Sequence, residues 1–63
     1  MKKYRWAVIK MFMWNNELQI QIALDDFDSL KRAEKFRLDF LNDAPKLDPQ
    51  MVQVIQYVAS NAS

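Results

Sequence analysis

From Glu17 to Leu24 apolar and polar side chains alternate, with Leu18, Ile20, Ile22 and Leu24 apolar and Gln19 and Gln21 polar between them. Successive side chains of a strand point to opposite faces, so this pattern predicts a β-strand with one apolar face. The preceding stretch, from about residue 3 to Trp14, is rich in aromatic and β-branched residues and reads as another strand. Between them lies Asn15-Asn16. Asparagine tolerates left-handed backbone better than other non-glycine residues, which is what a two-residue type I′ hairpin turn requires. With residues 15 and 16 as the loop, Trp14 faces Glu17, Met13 meets Leu18, Met11 meets Ile20, Ile9 meets Ile22 and Ala7 meets Leu24. This register gathers the aliphatic residues of both strands on one face, whereas a slip by one residue would scatter them over two.

A helix is expected over about residues 28–43. Asp28 stands where an N-cap belongs, Asp25, Asp26 and Asp28 suit the positive end of the helix dipole, and Pro45 forces a stop near Asp43. At about 100° per residue, Leu30, Ala33, Phe36, Phe40, Leu41 and Ala44 form one stripe, with Lys31, Arg32, Lys35, Asp39, Asn42 and Asp43 opposite. Arg37 falls inside the stripe by angle, and its stem is expected to lie over the core edge with the head in water. Leu38 lies off the stripe. After the loop from Ala44 to Pro49, residues 51–59 alternate again and predict a third strand, followed by a frayed tail over 60–63.

The order β-β-α-β predicts a single α+β domain over residues 1–63, with a three-stranded sheet and one helix packed on one face. A strand-helix-strand connection leaves its strands parallel, so the third strand should run antiparallel to the first. The first strand is the longest and is apolar on both sides, which places it in the middle, order 2-1-3. If Ala7, Ile9, Met11 and Met13 point at the helix, then Tyr4, Trp6, Val8, Lys10, Phe12 and Trp14 point away from it. On the third strand, Val52, Val54 and Val58 are expected under the helix, and Gln53, Ile55 and Tyr57 on the outer face. One helix covers only one side of a sheet, so an aromatic outer face would stand in water.

The composition of the 63 residues removes many chemistries. With no Cys and no His there is no disulfide framework, no thiolate metal site and no imidazole for proton transfer. With no Gly there is no phosphate-cradling loop, dinucleotide fingerprint or nucleophile elbow. Ser29, Ser60 and Ser63 therefore lack an activating histidine. The acidic run Asp25-Asp26-Phe27-Asp28, with Asp39, Asp43 and Asp48 elsewhere, is better explained by helix capping than by a metal. No catalytic, cofactor or metal residue is assigned, no small-molecule substrate is expected, and the chain reads as non-enzymatic. A chain this short buries only about 60% of its unfolded surface, so a partner would help it stay folded. The basic, apolar N-terminus is interrupted by Lys10 and lacks a cleavage site, and no run reaches membrane-spanning length, which suggests a cytoplasmic protein with no membrane contact.

The expected activity is therefore binding. Tyr4, Trp6, Val8, Lys10, Phe12, Trp14 and Tyr57 form the candidate surface for a protein partner or for a second copy in a homodimer, because an apolar face of several hundred Å² usually marks an interaction site. The alternative is single-stranded nucleic acid, with aromatic rings stacking on bases and Lys2, Lys3, Arg5 and Lys10 meeting phosphates. A net charge of +1 supplies no broad attraction for it. In layout alone, a hairpin, a helix and a third strand in so short a chain resembles several small phage-encoded proteins that inhibit host enzymes or defence complexes. That likeness implies a regulator of a larger complex.

Overall fold

The computed structural model of the chain describes residues 2–60. Strand β1 (Lys2–Trp14) turns into β2 (Glu17–Phe27), helix α1 (Leu30–Asp43) follows, and a 3-10 turn over Pro49–Met51 leads into β3 (Val52–Ser60). The sheet order is β2-β1-β3, with both outer strands antiparallel to the central one, and the helix packs against the sheet. This is the expected α+β fold. Ser60 belongs to β3 rather than to a tail, and the expected fraying of 61–63 lies outside the described residues.

The hairpin forms as its turn residues dictate. Asn15 and Asn16 have φ of 52° and 64°, the left-handed values of a type I′ turn. The register follows from Trp14↔Glu17 through Met13↔Leu18 and Met11↔Ile20 to Ile9↔Ile22. There the regularity ends. Val8, not Ala7, faces Leu24, and Trp6 faces Phe27, so two irregularities each add one residue to β2. They place Ala23 in the first and Asp25-Asp26 in the second, where Asp26 takes a φ of 67°. β2 therefore runs three residues beyond its expected end, and Asp25 and Asp26 belong to a bulged strand rather than to the helix start.

Ser29 caps the helix instead of Asp28: its backbone is extended, and its hydroxyl accepts a hydrogen bond from the Arg32 N–H at 3.2 Å. Asp28 pairs with Arg32 one turn on, at 3.5 Å. The helix stops at Asp43, two residues before Pro45, because the residue ahead of a proline is driven out of helical backbone.

The helix lands on the opposite face of β1 from the one expected. Val8, Ala33 and Val52 form the fully buried centre, with Trp6, Ala23, Phe27, Phe36, Phe40, Leu41, Leu47 and Val54 packed around it. The small Ala33 lets the helix backbone come down over Val8 and Val52. Phe36 sits between Phe27 and Phe40, with ring centroids 5.6 and 6.1 Å away; each such pair adds about 0.5–1.5 kcal/mol beyond its buried area. Val52 and Val54 face the helix as expected, whereas Val58 is 47% exposed, opposite Tyr4. Trp6 and Val8 are thus core residues, and Ala7, Ile9, Met11 and Met13 alternate onto the uncovered side. Phe27 alternates onto the face opposite Leu18, Ile20 and Ile22, so a helix packed on Phe27 leaves those aliphatic residues uncovered; the two bulges together restore the alternation and slide Phe27 along the ladder from the level of Tyr4 to that of Trp6, where it completes the aromatic cluster.

Arg37 is half-buried, and its head is not left to water. Nε donates to the Val52 carbonyl at 2.7 Å and Nη2 to the Pro49 carbonyl at 2.8 Å, which ties the helix to the start of β3. Leu38 is exposed, as its angle implies, but Leu30 is also 45% exposed despite falling on the apolar stripe.

Candidate functional site: the open sheet face

The uncovered face is built from alternate residues of all three strands. β1 supplies Arg5, Ala7, Ile9, Met11 and Met13, β2 supplies Leu18, Ile20 and Ile22, and β3 supplies Gln53, Ile55 and Tyr57. The pairs Ile9↔Ile22, Met11↔Ile20, Met13↔Leu18, Ala7↔Ile55 and Arg5↔Tyr57 bring them side by side, since residues opposite each other in a ladder share a face.

Its two ends differ. At one end the Asp26 N–H donates to the Tyr57 hydroxyl at 3.1 Å, and the Arg5 guanidinium lies 3.4 Å from the Asp26 carboxylate. Tyr57 is on β3 and Asp26 on β2, so the tyrosine reaches across the central strand at the level of Arg5 and Ala7. The methyl side chain of Ala7 leaves room for that crossing and is almost fully buried. This contact also gives the second bulge a partner for its backbone N–H. At the other end there is no polar cover. Ile20 is 61% exposed, Ile22 58%, Met13 59% and Leu18 57%; Ile55, 41% exposed, stands on β3 opposite Ala7, on the far side of the nearly buried Ile9. From Met11 to Met13 the hairpin also extends past β3, whose pairing with β1 ends at Lys10↔Val52.

The residues expected to bind a partner are therefore divided between the two sides. Tyr57 is on the open face as expected, but half-buried and engaged with Asp26. Tyr4, Trp6, Val8, Lys10, Phe12 and Trp14 alternate onto the helix side, which corrects their expected outward placement. Val8 is wholly buried, Trp6 packs on the core, and Lys10 and Phe12 are half-buried. Tyr4 and Trp14 remain exposed aromatics, at opposite ends of the strand. Tyr57 is the single aromatic on the open face among the described residues, so the expected row of stacking rings is not assembled there.

Ile55 stands on the uncovered face as expected, and what the expectation missed is the aliphatic set Met11, Met13, Leu18, Ile20 and Ile22. Its signal was present in the sequence as the alternation of β2, which predicted an apolar face; only its assignment to the helix was wrong. Elsewhere, a shallow groove between α1 and β3 is lined by Leu30, Glu34, Arg37, Leu38, Gln53 and Val54, and its cation is already held by two carbonyls. Among the described residues no group of three acidic side chains is placed to hold a metal ion, and no helix is long and apolar enough to cross a membrane. The sequence matches no family model and no curated protein, and the fold matches no solved structure.

Proposed function

We propose that the chain is a non-enzymatic interaction module that docks another protein on the aliphatic half of its open sheet face. One observation carries this reading: exposed aliphatic side chains of all three strands, from Leu18 and Met13 through Ile20 and Ile22 to Ile55 on the far side of Ile9, share the face that the single helix leaves uncovered. Isolated exposed aliphatic residues are ordinary; a contiguous set on a flat, rigid sheet is a docking surface. Methionines at its centre adapt to the shape of a partner, and the Arg5-Asp26-Tyr57 cluster supplies a polar margin of the kind that rims such surfaces. The absence of His and Cys supports binding rather than catalysis.

The test is capture from the source lysate by the immobilised chain, comparing wild type with Ile55→Lys and with Trp14→Ala. Charge at position 55 should weaken capture by about 30-fold, the equivalent of about 2 kcal/mol, because a buried unpaired ammonium is costly at an interface core. Trp14→Ala should bind as wild type does. The opposite ranking, with each variant still folded by circular dichroism, would return the docking surface to the helix side.

A further inference from the structure

The helix separates the two edges of the sheet: from Val54 to Ala59 the outer edge of β3 is regular, uncharged and unpaired among the described residues, but α1 lies beside it, so a second copy joined there would bring the two helices together, whereas β2 lies away from α1. At β3, Arg37 occupies the carbonyls of Val52 and Pro49 beside the strand's start, the Gln53 side chain donates to the Gln50 carbonyl, and α1 lies over β3 and β1 more than over β2. The outer edge of β2 is protected over only half its length. From Ala23 to Phe27 two bulges and the charges of Asp25 and Asp26 spoil it as a template. From Leu18 to Ile22 it is regular and carries no charge and no proline, and no strand pairs with it among the described residues. A strand with these properties pairs readily with another of its kind.

We propose that this half of β2 is the pairing edge for a second copy of the chain, antiparallel about a two-fold axis at Ile20. Charge and regularity select that register. About Gln21, Glu17 would oppose the second copy's Asp25, two carboxylates side by side, and the bulge would interrupt the ladder. About Ile20, Leu18 faces Ile22, Gln19 faces Gln21, Ile20 faces itself and Glu17 faces Ala23, so like meets like and no charges oppose. The axis stands normal to the sheet, both helices fall on one side, and the displacement of α1 towards β3 keeps them clear of the junction. The product is a six-stranded sheet with order 3-1-2-2-1-3. Its open faces join into one aliphatic surface, but the pairing uses the strand edge and stands whether or not a protein docks on that surface.

Because the chain has no cysteine, single cysteines report the register without background. Opposed residues of an antiparallel pair have Cα atoms about 4.5–5.5 Å apart, within disulfide range, whereas diagonal neighbours lie at about 7–8 Å, outside it. An equimolar mixture of Gln19→Cys and Gln21→Cys chains should form a mixed disulfide at least about tenfold faster than either variant alone. Wild type should run as a dimer by light scattering at high micromolar concentration, and Ile20→Lys as a folded monomer by circular dichroism. A monomeric wild type overturns the proposal. So does a dimer in which Ile55→Cys cross-links and the Gln19→Cys and Gln21→Cys mixture does not, because that pattern belongs to face-to-face packing. Either result leaves the docking of a foreign protein to be judged by its own capture experiment.

Discussion

Val8 and Ile9 are neighbours in β1, exposed by 0% and 7%, and are withdrawn from water by different means. Val8 is covered by a second layer, with Ala33 directly in its cluster and Phe27 and Phe36 around it. Ile9 is shielded by its own sheet, between Ile22 on one side and Gln53 on the other. Low accessibility on the central strand of a flat sheet thus has two physical meanings. On the helix side it reports a packed core, in which cavities and charges are felt in full; on the open side it reports crowding at the level of the sheet, with water beginning one atom further out.

Substitutions can break or sharpen this contrast. The largest effect is expected for Val8→Asp, which places a carboxylate without a partner beneath the helix and should abolish the cooperative thermal transition seen by circular dichroism; a folded Val8→Asp chain would place Val8 outside the core. Phe36→Ala removes the middle ring of the aromatic cluster and should cost about 3 kcal/mol in urea unfolding. Arg37→Met keeps much of the stem but leaves the Val52 and Pro49 carbonyls without their donors, for a loss of about 1–2 kcal/mol, and hydrogen exchange at the start of β3 should rise with it. Met13→Thr, on the open face, should alter stability by no more than about 0.5 kcal/mol. If it costs as much as Phe36→Ala, the two faces do not differ in the way their exposures indicate.

The features legible in the sequence were those set by neighbours in the chain. Asn15-Asn16 fixes the turn, the turn fixes the pairing as far as Ile9↔Ile22, Pro45 stops the helix, and the length of β1 puts it in the middle. Asp28 and Ser29 are adjacent and either side chain can accept from a helix N–H, so the sequence did not decide between them; Ser29 is the cap. The face taken by the helix was not legible. Alternation shows that β2 has an apolar side without showing what lies against it, and two bulges move Phe27 along the ladder from the level of Tyr4 to that of Trp6. Phe27 itself is hidden among aspartates that read as helix-capping residues. The landing of the helix depends on contacts far apart in sequence, between Phe27, Phe36 and Phe40 and between Ala33, Val8 and Val52. The candidate surface was therefore predicted as a property of the fold, one sheet face left uncovered, but assigned to the wrong side chains.

The stagger of the strands also divides β1 in time. Its second half, Met11–Trp14, pairs only with β2 across a two-residue turn, while Lys2 and Lys3 pair with Ser60 and Ala59 at the far end of the described chain. Closing a tight hairpin takes about 1–10 μs, and bringing distant segments together is slower because loop entropy is lost before contacts compensate it. The hairpin can thus close, with Leu18, Ile20 and Ile22 aligned, in the interval before β3 docks and the helix has a complete sheet to rest on. During that interval its uncharged edge and both faces are accessible to other chains, so the yield of refolding should fall as protein concentration rises.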